Sequence, residues 1–298
     1  MCGINGFLDH NNYINETDFK NSSTSLGTKH CDGFGYSFIQ NEHYTLGLAN
    51  ERLATIDLNP NAAQPLTSHC GNYIITVNGT IYNHLELRET LIKYGIIFST
   101  LSDTEVILES YKKWGNKAFE MFDGSYCFAL LDKKNNILLI GRDDIGAKPL
   151  FFYQEKGFFA FASEIKALIH YNFIKKEVNR NALATYFRNG YFNGQETIYT
   201  NISRFPKGTL TTIDIHSGFS YNSQLVKYKL NPKIHNQQDE AKVVDKIEDF
   251  LTESILNRNV ANVPVGVLLG SGYDSSTVAA ILQKNQTKRI KTYTVGYT

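Results

Sequence analysis

From Met1 to about Lys175 the sequence consists of short apolar, β-rich runs divided by turn residues, and this feature most limits what the chain can become. Tyr73 to Val77, Tyr126 to Leu131, Ile137 to Ile140 and Phe158 to Ala162 each have the length and composition of a strand. Two stretches with helical spacing interrupt them. One begins near Asn83 and carries Leu85, Leu87, Leu91 and Ile92. The other follows Ser102, with Asp103 as its cap and Val106, Ile107, Leu108 and Tyr111 behind it. Such a mixture specifies a layered α+β domain. A further helix is expected at Ala182 to Phe187 and a strand at Thr209 to Ile215, before a polar linker over Asn231-Pro232-Lys233 and His235 to Asp239.

A different architecture follows. Val243, Val244, Ile247, Phe250, Leu251 and Ile255 recur at helical spacing with charged residues between them, which predicts an amphipathic helix. Val263 to Leu269, a nearly continuous apolar run, reads as a strand, Gly270-Ser271-Gly272-Tyr273-Asp274 as a turn, Ser275 to Gln283 as a helix and Ile290 to Val295 as a second strand. That order is a parallel βαβ unit. About 60 residues cannot complete a doubly wound sheet of usual size, so only the first part of an α/β parallel-sheet domain is expected here.

Charge removes several classes of function. Lysine and arginine exceed aspartate and glutamate by one, and no basic run occurs, so neither nucleic acid nor an anionic membrane is an expected partner. No segment has the roughly 20 apolar residues that span a bilayer. Cys2, Cys31, Cys70 and Cys127 are widely spaced, which suits reduced thiols in the cytoplasm. The histidines show no ligand spacing, and no metal site is read from the sequence.

The chemistry-bearing residues are few. Removal of Met1 would leave Cys2 with a free α-amine, which titrates near about pH 7.7 to 8.0 and could take the thiol proton, so one residue would supply nucleophile and base. Asn78-Gly79 offers a side-chain amide beside an unhindered backbone N–H, the donor pair an oxyanion needs. Arg52 and Asp103 could hold the carboxylate and ammonium of a zwitterion. Each taken alone has a plainer reading: a buried small hydrophobe, a turn, a surface charge, a helix cap.

The set is more specific than its members. "MCGINGF", "CDGFG", "RLATIDL", "QPL", "VNGTIYNHLELR", "SDTEVIL", "RDDIGAKPLFF" and "FASEIKAL" stand in the order and spacing of the glutaminase domain of glutamine-hydrolysing asparagine synthetases, and the chain resembles that family over nearly its whole length. The resemblance implies an αββα N-terminal-nucleophile hydrolase sandwich over residues 2–210, late strands and linker over 211–238, and a partial synthetase domain over 239–298. It further implies that Cys2 attacks the glutamine amide to give a thioester and ammonia, with Asn78 and Gly79 as oxyanion hole. Arg52 then matches the residue on the α-carboxylate, Leu53, Ala54, Thr55 and Ile56 the loop with backbone contacts to glutamine, and Asp103 the aspartate near the α-amine. Thr80 stands where the family usually has glutamate, so Asp103 is left with most of the charge complement and weaker glutamine binding is expected. "CDG" and "RDD" replace the usual "PDG" and "RDR", changes expected to alter packing before chemistry.

"GSGYDSS" is similar to the pyrophosphate loop of ATP pyrophosphatases, with Gly270-Ser271 in exchanged order. The resemblance implies ATP at Ser271, Gly272, Asp274, Ser275 and Ser276, with Leu268, Leu269 and Val295 lining the adenine site and Mg2+ accompanying the phosphates. Aspartate is the implied acceptor, and a homodimer is the implied assembly. Two alternatives stay open at this point: an amidotransferase for a sugar or peptide carboxylate, and a non-catalytic, glutamine-binding or regulatory relic.

Overall fold

The computed structural model describes residues 2–27, 31–225 and 240–296. The chain divides into two compact units, Met1–Lys227 and Tyr228–Thr298.

In the first unit two antiparallel sheets form. One runs β10 (Ile202–Arg204), β8 (Phe151–Glu155), β9 (Phe158–Ala162), β1 (Gly3–Asp9), β3 (Thr45–Arg52), β2 (Gly33–Gln40). The other runs β12 (Ser220–Gln224), β11 (Thr209–Asp214), β7 (Ile137–Arg142), β6 (Gly124–Asp132), β5 (Tyr73–Ile81), β4 (Leu66–Thr67). The helices are α1 (Glu16–Thr24), α2 (His84–Lys93), α3 (Asp103–Trp114), α4 (Ile165–Leu168) and α5 (Arg180–Asn189).

Strand alternation decides the layering. On β6, Cys127, Ala129 and Leu131 pack with Ile4 and Leu8 of β1 and Leu46 and Leu48 of β3, which fills the space between the sheets. The intervening Tyr126, Phe128 and Leu130 face the other way, onto Leu87 and Leu91 of α2 and Val106 and Ile107 of α3. Phe7 of β1 and Ala49 of β3 likewise turn outward, onto Phe19 of α1 and Ala167 and Leu168 of α4. The result is helix, sheet, sheet, helix. Both faces of the central strands are covered, which explains why they read as unbroken apolar runs although they are antiparallel. Each fully buried leucine or phenylalanine contributes about 2 kcal/mol to this arrangement.

Several expectations are corrected. The strand expected over Tyr73 to Val77 does not stop there: β5 continues through Asn78 and Gly79 to Ile81, because Asn78 pairs with Cys127 and Gly79 with Tyr126 of β6. Asp103 does not cap α3. Ser102 does, its Oγ accepting the Thr104 N–H at 3.1 Å, and the Asp103 carboxylate is thereby released for another partner. The helix expected over Ala182 to Phe187 extends over the whole of α5, with Asn179 as its cap. β11 and β12 lie where late strands were expected, and the polar linker over 231–239 lies outside the described residues.

The second unit holds α6 (Glu240–Arg258), β13 (Gly266–Leu268), α7 (Tyr273–Lys284) and β14 (Lys291–Tyr293). β13 and β14 pair in parallel with α7 between them in sequence, which is the βαβ order anticipated. Among the described residues no helix is long and apolar enough to cross a membrane.

Candidate active site

The exposed edge of β5 creates the site. β4 covers that edge only at Ile74 and Ile75, so from Val77 onward other groups must meet its outward backbone. The Val77 N–H donates to Gln64 Oε1 at 2.6 Å, and the Ile81 N–H donates to Asp103 Oδ2 at 3.1 Å. Gly79 lies between them with the same parity. Opposite it, the Tyr126 N–H donates to Asp143 Oδ2 and the Tyr126 carbonyl accepts the Asp143 N–H, so Tyr126 turns its backbone away from β5. In an antiparallel ladder the facing residue then turns outward too. The Gly79 N–H is therefore presented at the open edge, in the gap between Gln64 and Asp103.

Glycine is required at that position. Its φ is +139°, and a Cβ there would lie 2.1 Å from the Ser125 carbonyl oxygen. Asn78 has the opposite parity and points toward the first sheet, where its Nδ2 donates to Ser163 Oγ at 3.2 Å.

Cys2, Arg52, Leu53, Thr55, Ile56, Gln64, Gly79, Thr80, Ser102, Asp103 and Thr104 line one open cleft. The structure thus brings eight of the expected residues together. Ala54 and Asn78 are not among the lining groups. Ala54 is turned to Asp32, whose Oδ2 accepts its N–H at 2.7 Å, and Asn78 is turned to Ser163.

The loop after β3 covers the sulfur. Cys2 Sγ accepts the Leu53 N–H at 3.1 Å and donates to the Leu53 carbonyl at 3.4 Å. Arg52 reaches along the same loop and donates to the carbonyls of Ile56 at 3.2 Å, Asp57 at 2.5 Å and Asn59 at 3.5 Å. Opposite, Asp103 is buried, and burial pushes its carboxyl above the usual carboxylate range while the Ile81 N–H and His84 oppose that rise. Thr80 faces the same space without charge.

The other thiols differ in environment. Burial pushes the Cys127 thiol up to about 12, which removes it as a nucleophile. Cys70 is exposed, and its bond to Ser68 holds its pKa below the ordinary thiol value.

In the second unit, the turn before α7 is closed by its own serines. The Gly270 N–H donates to Ser275 Oγ at 3.1 Å, and the hydroxyls of Ser275 and Ser276 donate to the Gly272 carbonyl at 3.3 and 3.0 Å. Leu269 is tied to β14 through its N–H and the Tyr293 carbonyl. Leu268 and Val295 are 76% and 77% exposed, and Asp274 lies in the first turn of α7. No side chain caps α7, and the space a Cβ would take at Gly272 is open, so the helix start can receive an anion.

The family model for a glutamine amidotransferase domain matches residues 1–224. The chain belongs to that family. The asparagine synthase family model matches residues 246–298. Asparagine synthetase [glutamine-hydrolyzing] 3 of Bacillus subtilis is 30% identical across the whole of this chain and 48% of its own length. Asparagine synthetase B of Escherichia coli is 32% identical over 82% of this chain and 38% of its own length. The chain spans about half the length, or less, of these curated relatives. Among solved structures, the glutamine phosphoribosylpyrophosphate amidotransferase of B. subtilis superposes with a TM-score of 0.54 at 17% identity, covering 76% of this chain and 50% of that one. The shared fold is the αββα sandwich of N-terminal-nucleophile hydrolases.

Within this glutamine amidotransferase domain, several further residues support the site. Gln64 joins three elements: Oε1 accepts from Val77 and from Asn50 Nδ2 at 3.3 Å, and Nε2 donates to Thr104 Oγ1 at 3.1 Å. Asn50 also donates to the Val77 carbonyl. Arg88 donates to the Thr100 and Ser102 carbonyls and stacks on Phe98, which fixes the segment that ends in Asp103. Asp57 accepts the Leu101 N–H at 2.7 Å. Gln64 lies in "QPL", Asp57 in "RLATIDL" and Arg88 in "VNGTIYNHLELR", whereas Asn50 stands outside these motifs. In "RDD" the first two residues hold a loop: Arg142 donates to the carbonyls of Gly146, Lys148 and Phe205, and Asp143 Oδ1 collects the N–H groups of Ile145, Gly146 and Ala147.

Proposed function

We propose that the first unit hydrolyses glutamine to glutamate and ammonia, and that the chain is part of a glutamine-dependent asparagine synthetase. What supports the first half is one observation: Cys2, Arg52, Gly79 and Asp103 line a single cleft although they are far apart in sequence.

In this reading Met1 is absent from the mature protein, and the α-amine of Cys2 takes the thiol proton. The sulfur attacks the side-chain amide carbon, and the carbonyl oxygen becomes an oxyanion held by the Gly79 N–H and the Asn78 amide. The ammonium gives its proton to the departing nitrogen, which leaves as ammonia and a glutamyl thioester. Water then adds to the thioester, its proton returns to the sulfur, and glutamate leaves. Arg52 exchanges its loop carbonyls for the substrate α-carboxylate, a charged and bidentate partner in place of neutral ones. Asp103 takes the α-ammonium, and Thr80 adds no charge to it.

The second unit would receive ATP at the turn from Gly270 to Ser276, with the phosphates at the start of α7, the serine hydroxyls within reach of them, and Leu268, Leu269 and Val295 beside the adenine. ATP as a substrate supplies activation of the acceptor carboxylate, here aspartate. Mg2+ would accompany the phosphates; Asp274 is the acidic side chain beside them, and among the described residues no group of three His, Cys, Asp or Glu could hold an ion. A cytoplasmic homodimer completes the reading, and sedimentation of the purified protein tests its assembly.

The deciding experiment is glutamate release from glutamine by the purified chain, with intact mass measured in parallel. Release that requires Cys2 and a mass lacking methionine is expected. A Cys2→Ala variant as active as the wild type defeats the proposal. For the whole protein, formation of AMP and pyrophosphate dependent on aspartate tests the acceptor.

A further inference from the structure

The role given to Asn78 raises a question of aim. A primary amide on a short side chain can present its two N–H groups in many directions, and an oxyanion donor is effective in one. Asn78 is 2% exposed, and its Nδ2 donates to Ser163 Oγ at 3.2 Å. That same oxygen accepts the Ile4 N–H at 3.0 Å, and the Ser163 N–H donates to the Ile4 carbonyl at 2.8 Å. Ser163 is 3% exposed and extends the β1–β9 ladder by one step beyond Asn5 and Ala162. Two bonds therefore lock it onto the strand that begins immediately after Cys2, and a third ties it to the amide across the two sheets. One Nδ2 hydrogen is occupied by Ser163. That bond narrows the directions open to the second hydrogen. "FASEIKAL" contains this serine, and no step of the reaction uses it.

We propose that Ser163 is a positioning residue that orients the Asn78 amide with respect to Cys2, so that the oxyanion donor is registered to the strand carrying the nucleophile. The inference rests on the glutaminase reading and assigns that site a part outside the motif residues. Ser163 touches neither substrate nor sulfur and acts through Asn78. Its loss leaves the buried Ile4 N–H without its acceptor as well, so a fall in stability accompanies any fall in rate.

Glutamate release by the purified 298-residue chain tests this, comparing wild type, S163A, S163T, N78A and the double variant S163A/N78A, with thermal unfolding recorded for each. S163A is expected to lower kcat by about tenfold to a hundredfold with KM nearly unchanged, the cost of a misaimed transition-state donor. S163T, which keeps the oxygen, retains most of kcat. In the N78A background S163A costs nothing further, because the group it positions is gone. Losses that add in the double variant, equal losses in S163A and S163T, or a change confined to KM overturn the proposal. Should S163A fail to fold, S163C keeps the volume, weakens the acceptor and is held to the same pattern. A wild-type chain that releases no glutamate sinks the glutaminase reading and this inference together, whereas an active wild type with additive losses sinks the Ser163 assignment alone.

Discussion

The Leu53 N–H donates to the Cys2 sulfur at 3.1 Å, so the loop that covers the cleft also touches the nucleophile it covers. That loop is held from the side by Asp32, which accepts the Ala54 N–H and whose own N–H reaches the Arg52 carbonyl at 2.7 Å. Asp32→Ala removes the first of these bonds and leaves the second. One charge-assisted bond at an exposed site is worth about 1 to 2 kcal/mol. KM for glutamine should therefore rise about fivefold to thirtyfold while kcat stays close to wild type. A variant with unaltered KM would show that Asp32 has no hold on the loop.

Asp103 supplies a prediction with a sign. Its folded-state pKa is raised, chiefly by burial, so its contribution to stability is fully present in acid and is lost as pH rises through that elevated value. The ion is nevertheless the form that binds an ammonium. KM for glutamine should increase on acidification, with a midpoint above the ordinary carboxylate value of about 3.9. Asp103→Asn keeps an acceptor for the Ile81 N–H and removes the buried charge. It should raise KM at neutral pH without lowering the unfolding temperature. A less stable variant with normal KM would contradict both halves.

Gly79→Ala tests the backbone directly. The added carbon meets the Ser125 carbonyl at 2.1 Å in a conformation that L residues avoid. The change should cost about 3 kcal/mol, visible as a lower denaturant midpoint, and should abolish glutamate release because the strand edge has to shift. Full activity with native stability would mean that the Gly79 N–H is not where the ladder puts it.

The thiols should separate under alkylation. Cys70 is exposed with a lowered pKa, and Cys127 is buried with its thiol pushed up to about 12. Iodoacetamide at neutral pH should modify Cys70 rapidly in the native protein and Cys127 only after unfolding, as read by peptide mass spectrometry. Equal rates at the two positions would refute the burial assigned to Cys127.

Much of this architecture was legible locally. The short β-rich apolar runs Tyr126 to Leu131 and Phe158 to Ala162, the 3.6-residue spacing after Asn83 and Ser102, and the strand, turn, helix and strand around Gly270 are each readable within a short stretch of chain. Motif residues from Cys2 to Asp103 could be named in advance because their order and spacing resemble those of a known family, whereas each taken alone had a plainer reading. The sequence did not tell which edge of β5 stays open, that Asn78 and Gly79 lie within the strand, or that Ser102 rather than Asp103 caps α3. It gave no hint that Ser163, 85 positions away, shares a hydrogen bond with Asn78. Periodicity and turn chemistry follow from backbone sterics over a few residues, so the sequence alone determined them. Strand pairing, and with it the direction each backbone N–H faces, depends on contacts between distant segments, and only the packed tertiary structure decided that.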